Sequence, residues 1–455
     1  MADLLITINR DKGGIAAQIA HELRDSIRQG RLEPGVRLPS SRELAADLRV
    51  SRGVVVEAYE QLVAEGFLLS RVGMGTTVAP AASREPAPEA HDFQGTVCAP
   101  YYGHRPTSPD LGWFPRERWL ASVRHVLAAL PSDALDYGDP GGVPELREEL
   151  ASYLRRVRAA DVGPDNLVIV GGVAQGLSLT LHVLGGLRLA VEDPTSQRQI
   201  PLLRRAGAEL VPVPVDDEGI DVDALRAGGA DAVLVTPAHQ YPTGVVLSPA
   251  RRAALIEWGG IVIEDDYDAE FRFDRDPVGC LQGLASDRVV LSGSVSKAMA
   301  PGLRLGWVAA PPEVADRVRR ARGELDLGSP VIEQYALAHF LRSGAYDRNL
   351  RRMRREYRRR RDALVRALAE EMPEVCVGGI EAGLHVYLTL PPDWDEERLA
   401  RAAQDIGLAA EPVGPMRFTP GGPPAVVVGF ARLPAHRAAE AVRELKVRMS
   451  GQKVD

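Results

Sequence analysis

The amino-acid sequence predicts an α/β protein in which a small N-terminal head is joined by a linker to a large body. Its 455 residues are enough for two or three domains. Helical stripes and two short strands fill the first eighty residues, whereas apolar strands alternate with helices from about residue 167 onward. A Pro- and Ala-rich stretch without periodicity separates these parts. We predict a head at 1–79, a linker at 80–110 and a body at 111–455, which divides into a large domain of mostly parallel sheet (about 111–340) and a small α+β domain (about 341–455).

The composition favours a soluble, cytoplasmic protein. A net charge of −7 argues against a surface coated with basic residues. Cys98, Cys280 and Cys376 form neither a metal-ligand spacing nor a disulfide framework, so we expect a reducing compartment and no metal site. The N-terminus lacks the basic start and the apolar run of a signal peptide. The sequence has no stretch of about 18 apolar residues for a membrane span.

The head begins with a predicted helix, because apolar residues recur at positions 15, 19, 23 and 27 before a glycine stop. Ser40 and Glu43 form a capping box, which predicts the start of a short second helix. Ser51 is predicted to cap a longer third helix that runs through Glu65, and two short strands around a Gly-rich turn follow. This order of elements is typical of a winged helix-turn-helix.

The head resembles the GntR-type DNA-binding domain in the motifs L-P-S-S-R-E-L-A, V-S-R and R-x-G-x-G-T. The resemblance implies six DNA-binding residues: Arg42, Ser51, Arg52, Arg71, Gly73 and Gly75. The two helix-starting arginines would contact phosphates and base edges, the serine would donate to the DNA backbone, and the last three residues would place the wing near the minor groove. Residues 1–80 hold ten basic and ten acidic side chains, so the alternative is a small helical packing domain.

Lysine usage singles out one residue of the body. Only four of the 55 basic side chains are lysines, and Lys297 alone lies in the long middle of the chain. It follows an apolar strand and is therefore expected at a strand end, where ligands collect in open α/β sheets. Ser294 and Ser296 offer hydroxyl groups, and Arg304 offers a planar guanidinium suited to phosphate. An amine beside a phosphate cradle is typical of pyridoxal 5′-phosphate held as a Schiff base; the alternative is a surface lysine before a glycine turn.

The motif S-x-S-K, followed by P-G-L-R-x-G-W, resembles the lysine motif of fold-type I, class I/II aminotransferases. This resemblance implies the fold of the pyridoxal-phosphate-dependent transferases, with Lys297 bonded to the cofactor. The Gly-rich helix start at Gly172, Val173 and Ala174 would contribute backbone N–H groups to the cofactor phosphate. Tyr137 matches a tyrosine that reaches the phosphate of the neighbouring subunit's cofactor, which implies a homodimer with shared cofactor sites.

Two further motifs, I-E-D-D-Y-D-x-E-F-R and T-P-x-H-Q-Y-P-T-G, resemble those of one subgroup of these proteins. We assign Asp265 to the pyridine nitrogen of the cofactor. Asp266 is the alternative, because only one of two successive strand residues points inward. The resemblance implies that Tyr267 hydrogen-bonds the phenolic oxygen of the cofactor. His239 or Tyr241 either approaches that oxygen or supports the turn from strand to loop.

The sequence departs from the pattern of these aminotransferases at three places. The phosphate-binding turn reads Gly-Gly-Val-Ala-Gln instead of S-G-A-Q-Q, and residues 195–198 lack the aromatic residue that stacks on the cofactor. The arginine that grips a substrate carboxylate is replaced by Ala425 or Pro424, so an α-amino acid held in that way is not expected. The arginine-rich stretch 342–361 could form a nucleic-acid surface, but the resemblance favours a long helix that joins the two domains of the body.

A GntR-like head fused to an aminotransferase-like body is the architecture of the MocR family. The resemblance implies a bacterial transcriptional regulator that binds promoter DNA and senses a small amine or amino acid through aldimine exchange at Lys297. We expect no turnover enzyme, although residual transaminase activity stays open. One alternative is a working aminotransferase with a vestigial DNA-binding head. Another is a GntR-type repressor that has lost the cofactor.

Overall fold

The computed structural model describes residues 6–10, 13–71, 75–80, 105–273 and 278–449. The chain forms two compact units, residues 1–98 and 99–455, and their division falls inside the predicted linker. Each unit has its own hydrophobic core. Within the described residues, no helix is both long and apolar enough to cross a membrane.

In its described residues, the N-terminal unit contains three α-helices and one antiparallel hairpin: α1 (Ile15–Arg28), α2 (Ser41–Leu48), α3 (Arg52–Ala64), β1 (Leu68–Arg71) and β2 (Gly75–Val78). The predicted stripe of α1 is confirmed, because Ile19, Leu23 and Ile27 are all buried in the core of this unit. The predicted capping box is also confirmed, since the Ser40 hydroxyl accepts from the backbone N–H of Glu43 and the Glu43 carboxylate accepts from that of Ser40.

The second unit is built on an eight-stranded sheet with the order β3-β10-β9-β8-β7-β4-β5-β6. Its strands are β3 (Leu167–Val170), β4 (Arg188–Asp193), β5 (Glu209–Asp216), β6 (Gly219–Ile220), β7 (Ala232–Val235), β8 (Ile261–Asp266), β9 (Val289–Ser294) and β10 (Gly306–Ala309). The five strands from β9 to β5 run parallel, whereas β3, β10 and β6 pair antiparallel. The predicted mostly parallel sheet is therefore confirmed.

Helices cover both faces of this sheet. They are α4 (Arg116–Ala129), α5 (Pro144–Arg158), α6 (Val173–Leu184), α7 (Ile200–Arg205), α8 (Val222–Gly228), α9 (Pro249–Trp258), α10 (Pro312–Leu325) and α11 (Val331–Arg342). The alternation of β3 shows how the layers form: Leu167 and Ile169 pack in the core that contains α5 and α11, whereas Val168 and Val170 pack toward α6 and α10.

A second, antiparallel sheet of order β11-β12-β14-β13 lies near the C-terminus. Its strands are β11 (Cys376–Gly378), β12 (His385–Thr389), β13 (Ala409–Pro412) and β14 (Ala425–Gly429), and its helices are α12 (Ala345–Glu371), α13 (Glu396–Asp405) and α14 (Ala438–Met449). The arginine-rich stretch falls within α11, the turn after it and the 27-residue helix α12. Arg360 is buried in α12 and pairs with Asp110 and Glu356, which fits a structural role in the body.

The parallel strands bring several predicted site residues to one edge of the large sheet. Asp265 lies at the end of β8, and Ser294 ends the neighbouring strand β9. Lys297 follows three residues later. Because the carboxyl ends of parallel strands meet at the same edge, this edge is where the fold places a ligand.

Candidate functional site

The Lys297 amine lies in an enclosed, charged environment. Its Nζ donates to the Thr107 hydroxyl at 3.2 Å. Burial lowers the pKa of Lys297 to about 8, against 10.5 for an ordinary lysine, and the positive charge of Arg105 acts in the same direction. The negative charges of Asp268, Asp265 and Glu411 oppose that shift. Lys297 as a residue is half-buried, but its amine is the buried end of the side chain, so the surface-lysine alternative does not fit.

The structure distinguishes the two aspartates at the end of β8. Asp266 makes a bidentate ion pair with Arg158, at 2.8 and 3.0 Å, and both side chains are buried. Asp265 is 5% exposed, and its Oδ2 accepts from Gln199 Nε2 at 3.0 Å. Its Oδ1 is buried and has no hydrogen-bond partner among the described residues. Burial raises the pKa of Asp265 to about 6. Asp265 therefore keeps a free oxygen for a donor such as a protonated ring nitrogen, whereas Asp266 is fully engaged.

Glycines at the start of α6 form a cradle beside Arg304. Gly172 has a φ of +99°, and a Cβ at this position would lie 3.1 Å from the two terminal nitrogens of the Arg304 guanidinium. A Cβ at Gly306 would lie only 2.9 Å from the Gly172 Cα, so β10 approaches the helix start closely. Ser294 is paired with Gly306 across the sheet, which places its hydroxyl near this cradle.

The cradle combines the group types that bind phosphate. Val173 and Ala174, in the first turn of α6, present backbone N–H groups at the positive end of the helix. Arg304 adds an exposed guanidinium. The backbone N–H of Ser296 donates to the Ser294 hydroxyl at 3.3 Å, which fixes the turn that leads to Lys297.

A buried network surrounds Tyr267. His239 Nδ1 lies 2.9 Å from the Asp268 carboxylate and 3.1 Å from the Tyr267 hydroxyl. Because a carboxylate only accepts, this nitrogen carries the proton and donates to Asp268. The Tyr267 hydroxyl cannot donate to the same nitrogen, so its own proton is free for Asp268 or for a ligand oxygen. The network holds the Tyr267 ring in place.

His385, on β12, extends this network. Its Nε2 donates to the Pro242 carbonyl at 3.3 Å, and its buried Nδ1 has no hydrogen-bond partner among the described residues. Burial lowers the pKa of His385 well below its ordinary value, so the ring is neutral. One atom each from His239, Asp268 and His385 lie within 4.8 Å of one another, but His239 and Asp268 already satisfy each other by a hydrogen bond.

Tyr241 is engaged on the other side of the site. Its hydroxyl donates to Glu411 at 3.0 Å, and Arg198 pairs with the same carboxylate at 2.5 Å. Glu411 lies on β13, so this contact joins the two sheets of the body. β14 carries no arginine, as its residues are Ala425, three valines and Gly429.

Sequence reasoning missed three residues of the site. Thr107 is one of them, because nothing in an irregular Pro-containing stretch indicates that its hydroxyl reaches Lys297. Gln199 is another, and it directly follows residues 195–198, which lack the stacking aromatic residue of related aminotransferases. Asp268 is the third. It belongs to the quoted motif I-E-D-D-Y-D, and the acidic residue two positions after Asp266 was the available signal.

Tyr137 does not take part in the site within one chain. It is 81% exposed, and only its backbone N–H is engaged, by the Asp136 carboxylate. Leu120 and Leu127, seven residues apart on α4, are each 54% exposed. This exposure is what an interface with a second copy requires, and the contribution of Tyr137 to a partner's site stays a prediction.

The functional groups at this edge of the large sheet match the functional groups of pyridoxal 5′-phosphate. The orphaned Asp265 oxygen suits the pyridine nitrogen, the cradle at Gly172 suits the phosphate, and the Lys297 amine suits the aldehyde. These three groups occupy one edge of the sheet, at the ends of β8, β9 and the turn before α6.

The head presents three of the predicted DNA-binding residues, Arg42, Ser51 and Arg52, on its surface. Arg42 and Arg52 are exposed at the starts of α2 and α3, and Arg52 Nε donates to the Ser41 hydroxyl at 3.2 Å. Ser51 occupies the N-cap position of α3, as predicted, but its side chain makes no capping hydrogen bond and stays exposed. That serine hydroxyl is therefore free for another acceptor.

The wing is described only in part. Gly73 lies outside the described residues, and Arg71 ends β1. Gly75 begins β2 with a φ of +86°, and a Cβ there would lie 2.9 Å from Arg37 Nε. Arg37 is an exposed cation beside the wing that the sequence motifs did not indicate.

Comparison with known proteins agrees with both units. Residues 15–78 match the model for bacterial regulatory proteins of the gntR family, and residues 114–445 match aminotransferase class I and II. The chain is 37% identical over 422 residues to the HTH-type pyridoxine biosynthesis transcriptional regulator PdxR of Corynebacterium glutamicum, which covers 90% of this chain and 91% of that protein. It is 30% identical to the probable rhizopine catabolism regulatory protein MocR of Rhizobium meliloti, with 94% and 92% covered.

Among solved structures, the body is similar to LysN, an α-aminoadipate aminotransferase from Thermus thermophilus complexed with N-(5′-phosphopyridoxyl)-L-leucine. The TM-score is 0.70 at 29% identity, and the match covers 78% of this chain and 94% of that one. An archaeal alanine:glyoxylate aminotransferase matches with a TM-score of 0.69 at 27% identity, covering 76% and 90%. Both matches support the aminotransferase fold of the body.

Proposed function

The chain belongs to the MocR-type family of GntR regulators, and from this we propose that it is a cytoplasmic bacterial transcriptional regulator that binds promoter DNA through its head and pyridoxal 5′-phosphate through Lys297. The observation that carries the proposal is the buried Lys297 amine, with its pKa near 8, beside a free Asp265 oxygen, in a chain that also presents Arg42 on a GntR-type head.

Each residue of the edge has a role in this proposal. When bound, the cofactor supplies an aldehyde carbon that condenses with a primary amine. Lys297 supplies the amine, and burial keeps part of it neutral at physiological pH. Asp265 would face the pyridine nitrogen through its free oxygen. Ser294, Ser296, Arg304 and the N-terminus of α6 would hold the phosphate.

The Tyr267 hydroxyl, whose proton is not used by His239, hydrogen-bonds Asp268 in this structure and would turn to donate to the phenolic oxygen of the bound cofactor. His239 acts through Tyr267 and Asp268, as a positioning residue. Tyr241 is bound to Glu411, so approach to the same oxygen would require the Tyr241 hydroxyl to leave that carboxylate.

The signal has two candidate chemistries. A small amine or amino acid would replace Lys297 at the cofactor, and such a ligand shifts DNA binding only by its differential affinity for the two states of the protein. Alternatively the cofactor itself is the signal. Two observations favour it: β14 lacks an arginine for a carboxylate, and a 37% identical relative is named a pyridoxine biosynthesis regulator.

We further propose that the working form is a homodimer. Exposed Tyr137 and the exposed leucines of α4 would lie in its interface, and Tyr137 would reach the phosphate of the partner's cofactor. A dimer also presents two heads, which matches the two half-sites that helix-turn-helix proteins read.

The test compares the wild type with Lys297→Ala and with Lys446→Ala as a matched control. We expect pyridoxal 5′-phosphate to give the visible absorbance of a protein-bound Schiff base in the wild type and the control, but not in Lys297→Ala. Addition of the cofactor should change the affinity for DNA from the region upstream of its own coding sequence in the first two proteins only.

The outcomes also separate the alternatives. Steady keto-acid production from several amino acids without DNA binding would support a working aminotransferase with a vestigial head. DNA binding without any visible band would support a GntR-type repressor that has lost the cofactor.

A further inference from the structure

The described part of the second unit begins at 105–110, the last residues of the predicted linker, with an irregular segment that crosses the end of the small sheet and reaches Lys297. We call it the entry segment, because it is where the chain coming from the head enters the body. Its turn is closed by the Ser108 N–H, which donates to the Arg105 carbonyl at 2.9 Å. At Pro106 the segment lies against β14 so closely that a Cβ at Gly429 would be 2.4 Å from the Pro106 carbonyl oxygen.

The C-terminal end of the entry segment is firmly held. Arg432 Nε donates to the Pro109 carbonyl at 3.0 Å. The Asp110 N–H donates to the Tyr357 hydroxyl at 2.9 Å, and Arg360 pairs with the Asp110 carboxylate at 2.8 Å. Arg360 and Tyr357 are themselves buried on α12. This end is therefore part of the rigid body.

Thr107 lies within the predicted linker 80–110, just before this anchored end, and its hydroxyl accepts from Lys297 Nζ at 3.2 Å. The hydrogen bond thus joins the entry segment to the group that carries the proposed function. Thr107 and Lys297 are both half-buried residues, and burial of the amine lowers the pKa of Lys297. A short polar side chain at this point therefore contacts a solvent-shielded reactive group.

The chemistry at Lys297 changes this contact. When a primary amine condenses with an aldehyde, the nitrogen forms a C=N bond, and both amine hydrogens leave with the aldehyde oxygen as water. The nitrogen then keeps at most one hydrogen, if it is protonated, and becomes planar. It can no longer act as the freely rotating ammonium donor that the Thr107 hydroxyl binds.

We propose that Thr107 senses the loading of Lys297, and that the loss of its hydrogen bond releases the N-terminal part of the entry segment, which leads to the DNA-binding head. This inference rests on the proposed function, because it requires an aldehyde at Lys297 and a head that binds DNA. It adds the residue that reports the covalent state of the lysine. Free lysine holds the entry segment, and loaded lysine does not.

The proposal predicts that removal of the Thr107 hydroxyl strengthens cofactor binding, whereas loss of a polar group from a binding site usually weakens it. Thr107→Val keeps the size of the side chain and removes the acceptor, so the free-lysine state loses a hydrogen bond that the loaded state does not have. Loading should become more favourable, by about three- to tenfold in apparent cofactor affinity for one hydrogen bond of ordinary strength. A threonine with a merely structural role would give weaker binding when it is replaced.

The experiment uses the full-length protein, pyridoxal 5′-phosphate and the DNA fragment described above. Thr107→Val is compared with Thr107→Ser, which restores the hydroxyl, and with Ser108→Ala, which alters the same turn but keeps Thr107. Visible absorbance measures cofactor affinity, fluorescence anisotropy measures DNA affinity with and without cofactor, and hydrogen exchange of the peptide that covers the entry segment measures its release.

We expect Thr107→Val to bind the cofactor about three- to tenfold more tightly and to have the same DNA affinity with and without it. The backbone amides of its entry segment should exchange quickly both with and without cofactor. In the wild type, Thr107→Ser and Ser108→Ala, exchange of these amides should become faster only after the cofactor has bound. Gly429→Ala adds a methyl group that would displace Pro106, so it should also strengthen cofactor binding and speed the exchange of the entry segment. This variant replaces Thr107→Val in the experiment if Thr107→Val fails to fold.

Two results would overturn the inference. Equal or weaker cofactor binding by Thr107→Val, together with a wild-type response of DNA affinity to the cofactor, would show that the Thr107 hydroxyl does not sense the state of Lys297. Exchange of the entry segment that does not change on loading of the wild type would show the same. A wild type with no visible band or no DNA binding would instead refute the proposed function, and this inference with it.

Discussion

The lowered pKa of Lys297 predicts how fast the protein captures an aldehyde at different pH values. With a pKa of about 8, roughly one tenth of the amine is neutral at pH 7. An ordinary lysine with a pKa of 10.5 is neutral to only about 0.03% at that pH, so burial raises the reactive fraction by about 300-fold. The rate of Schiff-base formation should therefore rise about tenfold per pH unit below 8 and level off above it.

The assay is stopped-flow absorbance after mixing protein with pyridoxal 5′-phosphate between pH 6 and pH 9.5. Free Nα-acetyl-lysine under the same conditions corrects for the titration of the aldehyde reagent itself. The charges around the amine supply two variants with opposite signs. Asp268→Asn removes a negative charge and should move the inflection to lower pH, whereas Arg105→Gln removes a positive charge and should move it to higher pH. An inflection above pH 10, or shifts in the same direction for both variants, would refute the reasoning.

Three further predictions concern the two aspartates, the head and the buried acids. Asp265→Asn should weaken cofactor binding by at least tenfold in an absorbance titration, with little change in melting temperature. Asp266→Asn should instead lower the free energy of unfolding by about 3 kcal/mol in urea, because Arg158 is left buried without its partner. Arg52→Ala should lower DNA affinity and reduce the slope of log affinity against log salt by about one, with the visible band unchanged. Burial raises the pKa of Glu192 to about 7 against an ordinary 4.5, so the folded state binds more protons than the unfolded state between pH 4.5 and pH 7. The melting temperature should therefore fall as the pH rises through this range. Glu192→Gln should make the melting temperature less dependent on pH.

The sequence predicted the elements of both units well because their signals are local. The capping box at Ser40 and the stripe of α1 depend on residues three or four positions apart, and the structure contains both. The apolar strands and the Gly-rich start of α6 are also short-range patterns. The missing cap on α3 shows the limit, since Ser51 has the right residue type and position but leaves its hydroxyl exposed.

The site was predicted less completely, because contacts between distant segments have no local signal. Thr107 and Lys297 are 190 residues apart, and the partner of Tyr241 is Glu411, 170 residues further along. The choice between Asp265 and Asp266 likewise depends on Arg158, more than a hundred positions earlier in the chain. Alternation along the strand required one of them to face inward, but only the position of the arginine shows which one is already paired.

The charge balance of the head constrains how any signal must act on DNA binding. Ten basic and ten acidic side chains in residues 1–80 give little general attraction for DNA, so the proposed DNA binding would depend on a few placed cations such as Arg42 and Arg52 and on the two heads of the proposed homodimer. Loading of Lys297 alters no charge on the head. In the proposed homodimer, loading would therefore act by changing how the two heads meet two half-sites of the DNA. That change would appear in the DNA affinity as a single coupling free energy. Because such coupling is reciprocal, the proposal predicts that DNA changes the cofactor affinity of the body by the same factor by which the cofactor changes the DNA affinity of the head.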